Sequence, residues 1–487
     1  MHTFRLRARF MLDSLGAAMI RGECHDLGCA HERDRFWPRA VWRPAAAKRG
    51  ALLHQALVER PCPYIRRLAG GRARQVQFKR FLDNEAVTPE EMSAAAAAKT
   101  AQRVIGRKVI VVQDTTEVAL GGKRRKEEGF GPVGRGGAAR GLLLHVGLVF
   151  DEITGELIGA LQTQVWNREG GSPVEDRHSR EVCEKESQRW LDVVSSTGAF
   201  LGKALRKTVI ADRESDIYEQ FATRPSHVDL IVRAGQNRRI ECDDDDAAST
   251  LFPYVDSLPE AGRIKVIIPA APGRKERVTT LAVRFCAVTL QRPRSARSDV
   301  AESVALHLVD VRETSTPADC KPIHWRLLTT HIISTVGEAC EIVDLYRKRW
   351  KIEEFFRIVK TAGINIEDAQ LTDPDSMGNF VAAAALASVT IMQCIQARDG
   401  NTEQPIEAVF EADDQSILEA VGTKLEGKTA RQKNPHPKGS LAYAVWVIAR
   451  LGGWDGYYGK PGPMVIRRGL HDYQQIKYGA TLWGRNV

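Results

Sequence analysis

No apolar run in this 487-residue chain approaches the eighteen or so residues of a membrane span. The longest candidate, FVAAAALASVTIM from Phe380 to Met392, suits a buried helix better. Acidic residues are outnumbered: 61 Asp and Glu against 70 Lys and Arg leave a formal net charge of +9. That balance favours a polyanionic partner, because each Lys or Arg set against a phosphate releases condensed counterions, although acidic lipid fits the charge equally. Paired cysteine spacing is missing too. Nine scattered cysteines in a chain large enough to dispense with disulfide staples point to a reducing cytoplasm. Cys24, Cys29 and His31 in CHDLGCAHE match no standard zinc finger. The start, MHTFRLRARFMLDSLGAAMI, carries the early arginines of a targeting peptide, but Asp13 interrupts its short apolar run. A soluble, cytoplasmic protein is the expectation.

This length predicts two to four structural units. Residues 1–45 show no clear periodicity and are left unassigned. From 46 to 105 the pattern turns helical, with Thr88, Pro89 and Glu91 of TPEEM as a start signal, and predicts a small helical domain. Residues 106–235 read as the first part of a mixed α/β sheet. KVIVVQDTT holds a β-branched run from Val109 to Val112, as in a strand buried on both faces. LLLHVGLVF and ELIGALQTQVW flank the turn DEITG as a hairpin, a helix is expected around Glu181 to Val194, and TVIADRESDIYEQF supplies a second buried strand ahead of DLIVRA. Residues 236–325 lose the helical signal and predict a β-rich insertion, with DDDD at 243–246 as a solvated loop. Residues 326–395 return to the sheet domain. Residues 396–487 read as a helical C-terminal region, in which LAYAVWVIARLGG is expected to pack on a partner or dimerise.

Chemistry concentrates in LYRKRWKIEEFFRIVK, Leu345 to Lys360. Taking about 100° per residue with Tyr346 at zero, Arg349, Glu353 and Lys360 fall at about −60°, −20° and −40°. Leu345, Ile352, Phe355, Phe356 and Val359 lie roughly opposite, as a core-docking stripe, so the polar face is expected to look outward. One reading is a solvated face laced by pairs such as Arg349 to Glu353, worth a few tenths of a kcal/mol. The other is a metal-binding carboxylate set among phosphate binders. Asp114 and Asp212 supply the partners that second reading needs: each follows a buried-strand run, at the carboxyl edge where ligands collect in α/β sheets. Three oxygen donors in a basic surround suit Mg2+ or Mn2+, and two such ions roughly 3.5 to 4 Å apart can drive phosphodiester chemistry. Asp216 and Glu354 are less well placed.

QDTT, DRESDIYE and YRKRWKIEEFFRIVK resemble the signature blocks of bacterial DDE transposases of insertion sequence family four, the cut-and-paste, hairpin-forming group. The third block fits that family's Tyr, Arg, Glu, Lys pattern at Tyr346, Arg349, Glu353 and Lys360. Similarity continues through KESQRWL and GSLAYAVWVIARLGGW. The resemblance implies an RNase H-like catalytic domain whose second gap holds the β-rich insertion. It implies that Asp114, Asp212 and Glu353 are catalytic and bind two Mg2+ or Mn2+ ions, and that Tyr346, Arg349, Lys360 and Arg233 contact DNA phosphates. Trp325 in HWRLLTT matches the tryptophan that stacks on a flipped base. The partner would be double-stranded DNA, at transposon ends and target, with a homodimer assembled on it. Residues 1–45 depart from the family's end-recognition segment, and Lys79 stands where an aromatic residue is common. The expected function is metal-dependent cleavage at transposon ends and strand transfer into target DNA. A structure-selective nuclease using the same ions, and a catalytically silent DNA-binding regulator, are the rivals.

Overall fold

The computed structural model describes residues 44–483 apart from 122–128, 169–185, 242–248, 269–275, 317–320, 362, 401 and 458. Cys24, Cys29, His31, Lys185, the acidic run at 243–246 and nearly all of the 1–45 segment lie outside the described residues. Helices α1 (Pro44–Glu59), α2 (Ile65–Ala69), α3 (Arg72–Leu82) and α4 (Pro89–Arg103) come first. Strands β1 (Lys108–Ala119), β2 (Gly131–Val133), β3 (Ala139–Asp151) and β4 (Leu157–Trp166) follow, then α5 (Gln188–Phe200), β5 (Arg206–Ala211), α6 (Tyr218–Ala222) and β6 (Asp229–Arg233). Next are α7 (Leu251–Ser257), β7 (Gly262–Ile268), β8 (Arg277–Gln291), β9 (Ser303–Glu313) and β10 (His324–Thr329). The chain continues through α8 (Val336–Arg347), α9 (Lys351–Lys360), α10 (Pro374–Arg398), α11 (Asp414–Leu425), α12 (Leu441–Leu451) and α13 (Pro463–Trp483).

Ten strands form one mixed sheet in the order β2-β3-β1-β5-β6-β10-β9-β8-β7, with β4 also on β3. β1, β5 and β6 are mutually parallel, and the remaining pairs are antiparallel. The central strands are apolar on both faces because each face has its own core. Ile110, Val112, Ile210 and Ile231 enter one hydrophobic cluster, while Val109, Val111, Val209, Leu230 and Val232 enter the other. That division is the period of two expected of a pleated strand between two layers. The DEITG turn closes the β3–β4 hairpin, with Asp151 Oδ1 accepting from the amides of Ile153 and Thr154 at 2.9 Å each. Gly155 follows at φ 72°, a left-handed conformation that favours glycine.

Several boundaries read from the sequence shift. The 46–105 helices are not a detached domain: Ala95 of α4 shares the first core with Leu148 and Ala160, and Thr100 Oγ1 donates to the Ala160 carbonyl at 2.7 Å. The β-rich insertion extends the main sheet rather than forming its own, because β10 pairs with β6 on one edge and β9 on the other, and it contains the helix α7. The apolar run at 380–392 belongs to the 25-residue α10, among the described residues the one helix long and apolar enough to cross a membrane. Its most apolar window is 83% buried inside the protein. α12 offers no face to a partner, since Leu441 to Ala449 are all buried within this chain. The expectation of a partner-packing helix there is corrected: burial by its own neighbours accounts for its apolar composition.

Candidate active site

Parallel register sets the first two acids. Val112 of β1 pairs with Ile210 of β5, so Asp114 and Asp212, each two residues further on, stand at the same level. Val112 and Ile210 face the first core, and the pleat turns the two acids to that same face. Asp212 is still extended (φ −85°, ψ −174°) and caps a short 3-10 turn, its Oδ1 accepting from the Arg213 amide at 2.8 Å. The third acid comes from α9. A capping box at Thr335 and Glu338 starts α8, a 3-10 turn over Lys348–Trp350 joins it to α9, and Ile352, Phe355, Phe356 and Val359 dock on the first core. The apolar stripe is as the sequence predicts. The polar face looks outward only in part: Glu353 is exposed, whereas Arg349 is turned over the carboxyl ends of β1 and β5 and Tyr346 is buried, at 4% exposure.

Arg349 sits at the centre. Its Nη1 donates to Asp114 Oδ2 at 2.9 Å, and its Nη2 stands 3.8 Å from Asp212 Oδ2 and 3.9 Å from Glu353 Oε1. Burial pushes the Asp114 carboxyl up to about 6, against the pull of Arg349 and the Thr115 amide, while the charges on Glu353 and Asp212 add to the rise. Tyr346 is pushed up to about 12 by burial and by Asp212, towards which its hydroxyl donates at 3.4 Å. Arg233 Nη1 lies 3.8 Å from the same Asp212 oxygen, Oδ1, and its Nη2 donates to the His324 carbonyl at 3.1 Å. Trp325 packs edge-on against Tyr346, with ring centroids 5.4 Å apart. Lys360 reaches the end of β1, where its Nζ donates to the Glu117 carbonyl at 2.7 Å and pairs with Glu367 at 2.9 Å.

Asp114, Asp212, Glu353, Tyr346, Arg349, Lys360, Arg233 and Trp325 therefore gather at one sheet edge. Among the described residues no three Asp, Glu, His or Cys side chains form a ready cage for a metal ion. The donor set nonetheless fits one: three carboxylates already converge on a single positive group, the guanidinium, which stands in for a cation. Oxygen donors of this kind suit Mg2+ or Mn2+ rather than a soft metal.

Three contributors, Thr115, Arg357 and Glu367, escaped sequence reading, and Asp216 is rightly set aside there. Thr115 turns to the opposite face from Asp114, where its hydroxyl accepts from Arg189 Nε at 2.9 Å and meets His145 Nδ1 at 2.9 Å. That network fixes the backbone from which Asp114 projects; the KESQRWL block was its faint signal. Arg357, one turn after Glu353, is exposed and lines a cleft of about 400 Å³ together with Asp114, Glu353 and Lys360. Glu367 had no signal, since its contact with Lys360 depends on a turn after α9. Asp216 is structural: fully buried, it takes Arg238 on Oδ1 (2.9 and 2.8 Å) and the amides of Gly235 and Gln236 on Oδ2.

Residues 171–390 match the family described as Transposase DDE domain. The matched stretch contains Asp212, Glu353, Tyr346, Arg349, Lys360, Arg233 and Trp325, and begins after Asp114. The match supports a DDE transposase, a protein of DNA transposition and recombination, and the mixed sheet is consistent with an RNase H-like fold.

Proposed function

We propose that this chain is a cut-and-paste DNA transposase of the hairpin-forming group, built on an RNase H-like sheet, with Asp114, Asp212 and Glu353 as its catalytic carboxylates. The observation that carries this reading is the convergence of three acids, from two parallel strands and a helix, on one cation beside an open cleft. Mg2+ or Mn2+ bound by these acids would supply activation of water and neutralisation of the leaving oxygen. Arg349 gives up the carboxylates when a DNA phosphate offers its guanidinium a bidentate anionic partner. The acids then face the phosphodiester with no protein cation between them. Substrate binding thereby unmasks the site.

Tyr346, buried against Asp212, orients that carboxylate and the loop beneath the phosphate. Arg233 and Lys360 are the flanking phosphate contacts, and Lys360 exchanges Glu367 for DNA. Trp325, half-buried beside Tyr346, is the platform for a flipped base. Water opens the first strand; the freed 3′ hydroxyl attacks the opposite strand, closing a hairpin and releasing the flanking strand's 3′ hydroxyl. A second water opens the hairpin and regenerates the 3′ hydroxyl, which attacks the target and releases a target 3′ hydroxyl, so no protein nucleophile is needed.

The test is Glu353→Gln with duplex carrying the element's own ends in Mg2+. Strand cleavage is expected to disappear while DNA affinity stays equal or rises, because the change removes a negative charge together with a ligand. Undiminished cleavage by this variant would remove Glu353 from the chemistry and the reading with it.

A further inference from the structure

The hydrogen-bonded ladder between β1 and β5 stops at Val112 and Ile210, two residues before Asp114 and Asp212. The parallel pairing itself therefore does not set the separation of the two acids. One side chain spans the place where the strands part. Arg189, at the start of α5, donates from Nε to the Thr115 hydroxyl at 2.9 Å, and its Nη2 lies 3.5 Å from Glu214 Oε2. Thr115 directly follows Asp114, and Glu214 lies in the 3-10 turn that Asp212 caps.

Arg189 is itself held in place. Its Nη1 donates to the Glu186 carbonyl, and its guanidinium stands 5.2 Å from the ring centroid of Trp166 and 5.5 Å from that of the buried Trp190. Hydrogen bonds then run one way through the network. Arginine can only donate, so the Thr115 hydroxyl accepts from it and has its own proton left for His145 Nδ1, 2.9 Å away. His145 is thus protonated on Nε2, which faces Gln113 Oε1 at 3.3 Å. Complete burial, helped by the charge of Arg189, keeps this imidazole neutral, as that direction requires. Thr115 and His145 are directly opposed on β1 and β3, so the hydroxyl is gripped from two sides.

We infer that Arg189 is a positioning residue, which sets the spacing of Asp114 and Asp212 for a small divalent ion by bridging Thr115 and Glu214. The inference rests on the reading of those acids as metal ligands. Glu214 is largely exposed, so its pair with Arg189 is the weaker anchor and the Thr115 bond the stronger. Mg2+ demands short bonds and near-ideal octahedral geometry, whereas Ca2+ accepts longer and less regular ones. Loosened acids consequently lose Mg2+ more than Ca2+.

The experiment uses the full chain with Thr115→Val, which keeps the β-branched shape without the hydroxyl, and with Thr115→Ser, which keeps the hydroxyl. A third variant, Arg189→Lys, keeps the charge, but one ammonium cannot serve both anchors. Each is made with Arg349→Ala so that no guanidinium competes for the acids, and Mg2+ and Ca2+ affinities are read from the rise in melting temperature with ion concentration. Thr115→Val and Arg189→Lys should weaken Mg2+ binding by roughly 10-fold or more, the scale set by groups that support metal ligands, with a smaller loss for Ca2+. Thr115→Ser should bind as its parent does. With Arg349 intact, the Mg2+ concentration for half-maximal cleavage should rise in the same order while DNA affinity stays unchanged. If Thr115→Val does not fold, Arg189→Lys decides alone. Equal losses for the two ions, or none, in folded variants leave the network a packing feature and overturn the proposal; Glu353→Gln abolishing Mg2+ binding and cleavage would then still keep the transposase reading. Mg2+ binding indifferent to Glu353→Gln removes both.

Discussion

Arg349 Nη1 donates to Asp114 Oδ2 at 2.9 Å across 235 residues of sequence, and the same guanidinium lies within 4 Å of Asp212 and Glu353. One cation thus offsets part of the repulsion among three acids at a half-buried sheet edge.

Removing that cation should expose the repulsion. Arg349→Ala is expected to cost about 1–3 kcal/mol of stability, since it leaves a partly buried acid cluster without its counter-charge. Added Mg2+ should restore more of the melting temperature in this variant than in wild type, because the ion then competes with no guanidinium. Thermal unfolding with and without Mg2+ measures both effects; equal responses in the two proteins would show that Arg349 does not mask the acids.

Asp114 makes stability depend on pH in a defined window. Burial, the largest cause, raises its folded value from 3.8 to about 6. The group's favourable contribution is therefore complete below pH 3.8 and is lost as pH rises through about 6, a change on the order of 3 kcal/mol. Asp114→Asn should flatten that portion of the curve and be the more stable protein at pH 7. Denaturant unfolding of both proteins at several pH values between about 4 and 7 isolates the difference, with other titrating groups common to both.

Asp216 separates structure from chemistry. Asp216→Ala strips Arg238 of its buried partner and should cost about 3–5 kcal/mol. At a temperature where the variant remains folded, its cleavage rate should approach wild type, whereas Asp212→Ala should fold and not cut. A folded, inactive Asp216 variant would place this residue in the reaction after all.

Arg357 is a cleft cation with no ion pair to break among the described residues. Arg357→Ala should reduce the salt dependence of DNA binding by about 0.9 in slope, while Lys360→Ala, whose partner is Glu367, should lower stability as well as slope. Affinity titrations over a range of salt, paired with melting curves, test whether the two cations differ in this way.

Strand and helix periods were legible in the sequence because they report burial directly. The β-branched run Val109 to Val112 needs two covered faces, and the stripe Ile352, Phe355, Phe356 and Val359 needs one core. Asp114, Asp212 and Glu353 could be singled out because acids at strand ends and within a basic helix break those apolar patterns. The direction of the Glu353 helix face was only partly legible: a helical wheel gives angles around an axis but not what stands opposite, and here the ends of two strands take Tyr346 and Arg349 while Glu353 stays exposed. That arrangement is why Tyr346 is buried, why Arg349 clasps carboxylates and why Lys360 meets Glu367. The apolar helix α12 was ambiguous for the same reason, since composition records that a surface is covered and not by which chain. Sequence alone determined which residues carry charge and which must be hidden. Only tertiary packing decided their neighbours, because parallel register and the docking of α9 set distances between side chains that lie hundreds of residues apart.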